Sequence, residues 1–592
     1  MICREQIGFR ANNRTVDHMF ILKTLINKYV KNKSKPLYTF FVDFKHAFDS
    51  VPHEGLFYKL KLAGVGTKFY NVIKSMYKNI NICVKIGKKH TDFFPSSIGV
   101  RQGDNLSPNL FNLYLSDLPS YFDSSCEPVM LNNVKVNCLL YADDLVLLST
   151  SKSGLQNSID KLSQFAREWH LEINTNKTKV LTFNKSGRIT KSIFKFDNTE
   201  IENVQKYTYL GVTFAASGTF SYAKHEINNK GLKALYKIKK AFSTFHPKTC
   251  SLVHIFHHTV KPVLLYGAEI WGEFSAKKFD EDPENFMIKE IQNLITEKVH
   301  LKFCQFVLRV GPKTSHIGMR GELGSLPLLY FVYLSMIKYW LRLCEIKHGV
   351  NYFLKNKNTR NLSDNKDNSH RLLEAAFQES IVMSVEEKES WFNCIQKILK
   401  LLKLDYILKD SSKYTKNYII NKAKYSLKSK FIELWNKQLK NDNKKHAKVG
   451  HKLRTYRTFK NIYQQEPYLN IGTQEQRKFF AKFRLSDHNL NIEKGRYFNL
   501  NIEDRKCSLC NTSVEDEKHF LLECKNLENV RKQFLNSINN ECKNFSTLSS
   551  DNKFLWLMSN EDVIVLKVLL KMVFELFQYR SILQNQTSDT NS

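Results

Sequence analysis

The chain of 592 residues has no segment long and apolar enough to span a bilayer. Its best apolar run, Leu328 to Ile337, is soon broken by Lys338 and Arg342. No secretory signal opens the sequence, and it shows no internal repeat. Twelve cysteines are mostly scattered, which fits reduced, buried thiols rather than a disulfide framework. These absences argue against a membrane-spanning protein and a disulfide-stapled secreted domain. Acidic charge is also short: 57 Asp and Glu face 90 Lys and Arg, a formal net charge of +33. A field of that sign attracts polyanions and weakens steeply with salt. Forty-two Phe and twenty-six Tyr supply a large core and surfaces on which bases can stack. Basic charge alone does not separate nucleic acid from an acidic membrane, so the choice falls to the motifs.

Asp43 closes the β-like run Tyr38-Thr39-Phe40-Phe41-Val42, and Asp143-Asp144 interrupt the apolar run from Cys138 to Leu148. Two short apolar runs around turn-tolerant residues predict a β-hairpin with both acids at its tip. Adjacent carboxylates repel and lose solvation against apolar strands, a cost that a hard divalent cation offsets. Magnesium prefers oxygen ligands and takes only one or two protein carboxylates, leaving positions for water and substrate phosphates. Two such ions about 4 Å apart stabilise both the attacking and the leaving oxygen of a phosphoryl transfer. A lone Asp-Asp pair would read instead as a solvent-exposed turn.

Further blocks stand in order around these acids. Gln6-Ile7-Gly8-Phe9-Arg10 comes first, with Arg14 close behind. Asp43-Phe44-Lys45-His46-Ala47-Phe48 sets an aromatic five residues beyond the first acid. It leads through Pro52 into a predicted helix with Leu56, Phe57 and Leu60 on one face and Gly64 as its stop. Gly99-Val100-Arg101-Gln102-Gly103-Asp104-Asn105 is a turn-rich loop before a helix with Ser107 as N-cap and Pro108 at its first position. Leu110, Phe111, Tyr114, Leu115 and Leu118 then recur at helical spacing. Leu171 to Asn174, Lys177 and Tyr209-Leu210-Gly211-Val212 complete the series.

From Met1 to Val212 this order of blocks resembles the reverse transcriptase of non-LTR (LINE-type, jockey-like) retrotransposons. The resemblance implies an α+β right-hand polymerase, with partial fingers and the palm in residues 1–215. A helical thumb-like region over 216–350, a helical, basic, linker-containing region over 351–495 and a zinc-knuckle and terminal helical region over 496–592 would follow. It implies an RNA-directed DNA polymerase that extends a DNA primer with deoxynucleoside triphosphates on an RNA template by two-magnesium phosphoryl transfer. On this sequence Asp43, Asp143 and Asp144 would be the magnesium ligands. Phe48 would exclude a 2′-hydroxyl from the incoming nucleotide. Arg10 and Arg14 resemble finger residues that hold the triphosphate, a task suited to the bidentate guanidinium. Gln102 and Gly103 resemble a loop that contacts template and nucleotide, Lys177 a lysine near the leaving group, and Tyr209, Leu210 and Gly211 a primer-gripping hairpin. For Phe48 the competing reading is a core aromatic, for Lys177 a solvated charge, and for Tyr209 to Gly211 an ordinary strand ending in glycine.

Beyond about residue 220 the pattern turns helical. Leu326 to Leu343 and Val563 to Phe577 read as helices, and Lys355 to Asn368 and Asn436 to His451 as exposed loops or linkers. Lys444, Lys445, Lys448, Lys452, Arg454, Arg457 and Lys460, with Tyr456 and Phe459 between them, read either as a nucleic-acid or nuclear-import surface or as a solvated helix face. Cys507 and Cys510, followed by His519 and Cys524, form a C-x2-C-x8-H-x4-C arrangement. A thiolate knuckle plus a histidine and a cysteine one helical turn apart make a closed tetrahedral zinc site, structural rather than catalytic because all four ligands come from protein. Chance spacing is the alternative. Many LINE-type proteins carry a similar motif near the carboxyl end.

Two departures from the family pattern stand out. Asn105 occupies a place where proline is usual, and Met1 falls just before the finger block, as expected of a truncated copy lacking earlier finger residues and the endonuclease. A group II intron-type enzyme would need a maturase region that is not identifiable here, and Phe48 disfavours ribonucleotide use. The alternative from another class is a catalytically inactive relic that binds nucleic acid through its basic surface. An intracellular place of work, in nucleus and cytoplasm, goes with either reading.

Overall fold

The computed structural model describes residues 2–242, 247–346, 370–409, 414–440, 452–541 and 544–589. They form two compact units, each built from separated stretches: Met1–Glu226 with Gly267–Glu281 and Ser335–Ile420, and Ile227–Tyr266 with Asp282–Leu334 and Asn421–Ser592.

The first unit mixes helices and strands around a four-stranded antiparallel sheet in the order Lys179–Phe183, Leu37–Val42, Asp144–Ser149, Cys138–Tyr141. Strand side chains alternate between faces. Phe40 and Val42 therefore join a core with Leu147, Leu155, Ile159 and Phe165, while Phe41 turns to the opposite face and stacks on Tyr207 with centroids 4.3 Å apart. The Lys152–Glu168 helix starts where the Ser151 side chain accepts the Gly154 N–H, and it buries Leu155, Ile159, Leu162 and Phe165 along one face.

The Thr15–Ile26 helix is buried along almost its whole length. Asp17 accepts from Tyr339 Oη at 3.0 Å and from Arg342 Nη2 at 2.8 Å, Lys23 pairs with Glu273 at 2.9 Å, and Phe20 meets Trp391 edge-on at 5.2 Å. Burial lowers the Lys23 ammonium to about 8 despite Glu273. These partners come from Gly267–Glu281 and Ser335–Ile420, which explains why those stretches belong to this unit.

The predicted helix after Pro52 is His53–Leu62, with Leu56 and Leu60 buried and Gly64 at φ 72° beyond its end. The next one begins at Ser107 rather than being capped by it: Leu106 is already helical, and Asp104 Oδ1 accepts its N–H at 3.0 Å. An aspartate two residues upstream has taken the turn-closing role expected of the serine.

The second unit is mainly helical, with a core that includes Leu308, Met319, Phe480, Phe483, Phe520, Leu569 and Leu576. Charges inside it are paired, as burial requires. Arg484 Nε meets Glu322 at 3.0 Å and Arg580 Nε meets Glu515 at 2.8 Å. The same rule corrects the basic-surface reading of residues 452–460. Arg454 is held by Glu517 and Glu493, Lys460 by Glu466, and Tyr456 and Phe459 are core residues, so this stretch is an internal joint. Lys444, Lys445 and Lys448 lie outside the described residues, as does the predicted loop from Lys355 to Asn368. Asn436 to Lys440, expected as loop, closes the Lys416–Lys440 helix because Leu439 and Trp435 are buried in its apolar stripe. Among the described residues no helix is long and apolar enough to cross a membrane.

Candidate active site and zinc-ligand cluster

The sheet register brings the three acids to one end. Val42 pairs with Leu145 and Tyr141 with Asp144, so Asp43, next after Val42, leaves the sheet beside the hairpin that carries Asp143 and Asp144. Its backbone is fixed there: Asp43 N–H donates to Thr178 Oγ1 at 3.1 Å, and its carbonyl accepts from Asn174 N at 2.8 Å. Asp144 is not at the hairpin tip as expected. The tip is Ala142-Asp143, and Asp144 opens the returning strand.

Desolvation, then the charges of Asp143 and Asp43, push the Asp144 carboxyl up to about 6, although the residue opens to solvent on one side. Asp143 is also raised, chiefly by burial and further by Asp43. Lys177 Nζ lies 3.7 Å from Asp43 Oδ2 on the exposed side. Three carboxylates gathered at one sheet end, with Asp143 and Asp144 pushed up, fit a hard divalent cation such as magnesium.

A buried glutamine holds the hairpin tip. Gln6 Nε2 donates to the Ala142 carbonyl at 3.0 Å, while its Oε1 accepts from Ala142 N at 2.8 Å and Gly8 N at 2.9 Å. Ala142 has φ 56°, which costs an alanine roughly 1–2 kcal/mol. The clamp keeps that strained residue, and with it Asp143, in place. Gly8 must be glycine for this approach, since a Cβ there would lie 2.3 Å from Ala142 N. Glu5 to Ile7 also extend the sheet edge, with Ile7 N–H donating to Leu140 O at 3.0 Å and Leu140 N–H to Glu5 O at 2.9 Å.

Phe48 is half-buried, its ring 4.4 Å from that of Phe111 and 6.4 Å from that of exposed Phe9. The Gly99-to-Gly103 loop docks beside it: Val100 N–H donates to Phe48 O at 2.8 Å, and Gln102 Nε2 to Asp49 Oδ1 at 2.9 Å. Gly103 has φ 88° and open space where a Cβ would point. Arg10 Nη1 donates to the carbonyls of Cys3 and Gln6 at 3.1 and 3.3 Å, whereas Arg14 is exposed at the start of the Thr15–Ile26 helix. Tyr209 to Gly211 are more than a strand end. Leu210 and Gly211, at φ 47° and 82°, form the two-residue turn of a hairpin whose Tyr207 and Tyr209 pack on Phe41. Burial and then Asp144 push Tyr207 up to about 12.

In the second unit the ligand atoms of Cys507, Cys510, His519 and Cys524 lie within 4.8 Å of one another. Cys507 Sγ is 3.8 Å from Cys524 Sγ, and Cys510 Sγ is 3.4 Å from His519 Nε2. A tetrahedron with zinc–sulfur bonds of about 2.3 Å has edges of about 3.8 Å, so this donor set fits zinc. The four-residue spacer works because His519–Glu523 is a π-helical turn, wider than the α-turn expected, in which Cys524 N–H donates to His519 O at 2.9 Å. Arg531 fixes the Leu522 and Cys524 carbonyls, each at 2.7 Å.

The motif reading missed the role of Gln6. Its only sequence signal was its place beside Gly8 in the first block.

Residues 1–214 match the family model described as reverse transcriptase (RNA-dependent DNA polymerase). The chain is similar to the RNA-directed DNA polymerase from mobile element jockey of Drosophila melanogaster, 29% identical over 280 residues, covering 45% of this chain and 29% of that protein. It is similar to the probable RNA-directed DNA polymerase from transposon BS of the same species, 27% identical with 45% and 30% covered. A Pol polyprotein from the R2 element of Nasonia vitripennis is 28% identical over 222 residues, 36% of this chain and 22% of that one. The chain thus spans less than a third of the length of these relatives. A Candida tropicalis telomerase structure overlaps 64% of this chain and 53% of its own at 11% identity and a TM-score of 0.28, too loose to argue from.

Proposed function

We propose, from the premise that residues 1–214 are a reverse transcriptase domain of the non-LTR retrotransposon kind, that this chain is an RNA-directed DNA polymerase. The observation that carries the proposal is the meeting of Asp43, Asp143 and Asp144 at one sheet end, where burial and the neighbouring carboxylates make Asp143 and Asp144 harder to ionise. In right-hand terms the sheet is the palm, and residues before it belong to the fingers. Two magnesium ions held by the three acids would supply charge stabilisation at the primer 3′-hydroxyl and the departing pyrophosphate.

The protein's own residues position the reactants. Gln6 and Gly8 set the height of Asp143, and Lys177 offsets the carboxylate charge next to Asp43. Phe48, backed by Phe111, presents a bulky edge where a 2′-hydroxyl would need room. Gln102 and Gly103 receive template and nucleotide; Arg10 and Arg14 receive the triphosphate, which requires Arg10 to exchange its carbonyl partners for phosphate oxygens. The Tyr209-Leu210-Gly211 turn supports the primer. Zinc at Cys507, Cys510, His519 and Cys524 is structural and stiffens a part of the second unit suited to holding template RNA or target DNA. Nucleus and cytoplasm are where such substrates meet.

Primer extension on an RNA template with deoxynucleotides and magnesium tests this, comparing wild type with Asp143→Asn/Asp144→Asn. Extension by wild type alone supports the proposal. A folded wild type that binds template but never extends it would leave only the nucleic-acid-binding reading.

A further inference from the structure

Between the two site segments around Phe48 and Gln102, the chain makes an excursion that the catalytic reading does not use. Asn81–Ile82 pairs with Phe94–Pro95, and Lys85–Ile86 with Lys89–His90 across a turn at Gly87 and Lys88. The result is one long hairpin arm in which every residue from 81 to 95 is exposed except half-buried Cys83. Its root is fastened: Ser96 N–H donates to Ile80 O at 2.9 Å, His53 N–H to Ser97 O at 3.3 Å, and Pro52 bridges Ile98. The returning strand runs straight into the Gly99 loop that rests against Phe48.

Two features of the arm need a partner to explain them. Ile86 is 73% exposed and Phe93 72%, with Ile82, Val84 and Phe94 also open to solvent, which is unusual for a monomer's free surface. From Gly66 to Ile98 the chain carries six lysines, Lys68, Lys74, Lys78, Lys85, Lys88 and Lys89, against the single acid Asp92. Lys85, Lys88 and Lys89 have no acidic partner among the described residues. Lysines on strand edges deter edge-to-edge pairing, and a copy of a chain with net charge +33 would be repelled. An isolated two-stranded hairpin is at best marginally stable in water, so this arm gains from an occupant. Alternating lysine and apolar or aromatic side chains suit a strand that offers phosphates and unpaired bases together.

We infer that the Asn81–Pro95 arm binds single-stranded RNA, with Lys85, Lys88 and Lys89 on its phosphates and Phe93 as a stacking surface for an unpaired base. The inference rests on the polymerase reading for the choice of RNA, and places its grip on a single-stranded stretch of that RNA at a site separate from the three acids.

The test is anisotropy binding of the full chain to a labelled 20-nucleotide single-stranded RNA in magnesium-free buffer over a range of salt. Lys85→Ala/Lys88→Ala/Lys89→Ala is expected to reduce the slope of log affinity against log salt by about 2, the value for three lost phosphate contacts. Phe93→Ala should weaken binding about tenfold with little change in slope. A charge-matched control, Lys289→Ala/Lys298→Ala/Lys302→Ala, removes three exposed lysines elsewhere and should leave the slope near wild type. Equal slopes for the arm and control variants would overturn the inference, as would tighter binding to single-stranded DNA, or arm-dependent self-association by sedimentation. Circular dichroism checks that the variants fold. Without magnesium or nucleotides this assay reads binding alone, apart from primer extension. Failure of wild type to extend a primer therefore counts against the polymerase, while intact binding by the arm variants counts against the arm.

Discussion

Replacing Gln6 by alanine should loosen the acidic hairpin more than any other single truncation away from the acids themselves. The amide satisfies three buried backbone groups, Ala142 N–H, Ala142 C=O and Gly8 N–H. Each unsatisfied buried group costs about 1–3 kcal/mol. Relaxation of Ala142 out of its positive φ returns about 1–2 kcal/mol of that. At about 1.5 kcal/mol per group, the three costs less that return leave a net local cost of about 3 kcal/mol, equivalent to roughly 100-fold easier opening. Hydrogen exchange read on peptides spanning 138–149 is the suitable assay, because a chain with two compact units has no single unfolding free energy. Those peptides should exchange about 100-fold faster in Gln6→Ala, while peptides of the Gln474–Arg484 helix in the second unit stay unchanged. Gln6→Glu, which keeps the acceptor but loses the donor, should fall between. Unchanged protection of 138–149 in Gln6→Ala would refute the clamp.

Gly8→Ala should impair magnesium-dependent extension at least tenfold, since its Cβ meets backbone rather than a flexible side chain; normal activity would show that the turn can retreat without moving Asp143. Magnesium affinity should fall about tenfold between pH 7 and pH 5, because Asp144 must ionise from about 6 to act as a ligand. The sign for stability without the ion is the reverse: a raised carboxyl favours the fold at acid pH and loses that contribution as pH rises through about 6, so magnesium should raise the melting temperature at pH 7.5 and hardly at pH 5. A pH-independent calorimetric affinity would count against this site. Purified chain should hold one zinc per molecule by elemental analysis, with Cys524→Ser losing it and destabilising the second unit; a stable chain without zinc would dismiss the metal. Phe48→Val should admit ribonucleotides in extension assays if the ring is the steric gate.

Much of the candidate site's geometry was legible because its signals are local. The run ending at Asp43 and the acidic hairpin carry period-two apolar patterning, and the sheet register then dictates that they meet. Cys507 to Cys524 was legible for the same reason, since ligand spacing is written directly in sequence. The exact tip was not: an aspartate pair is the stronger turn former, yet the tertiary clamp from Gln6, 136 residues away, moves the turn onto Ala142. Nor was the fate of residues 452–460. A run of lysine, arginine and aromatics looks alike on a surface and in a joint until Glu466, Glu493 and Glu517 are brought to it.

The Thr15–Ile26 helix has a consequence for how the protein is made. Asp17 and Phe20 find Arg342, Tyr339 and Trp391 only after more than three hundred further residues have been translated. At about 5–20 residues per second the ribosome takes about 10–40 s to go from the end of the first stretch, Glu226, to Ile420. During that interval the sheet and the Thr15–Ile26 helix are made, but the helix lacks the partners from Ser335–Ile420 that cover it. The nascent chain therefore carries an apolar, partly charged helix face uncovered through much of its synthesis, a window in which chaperones protect it from aggregation.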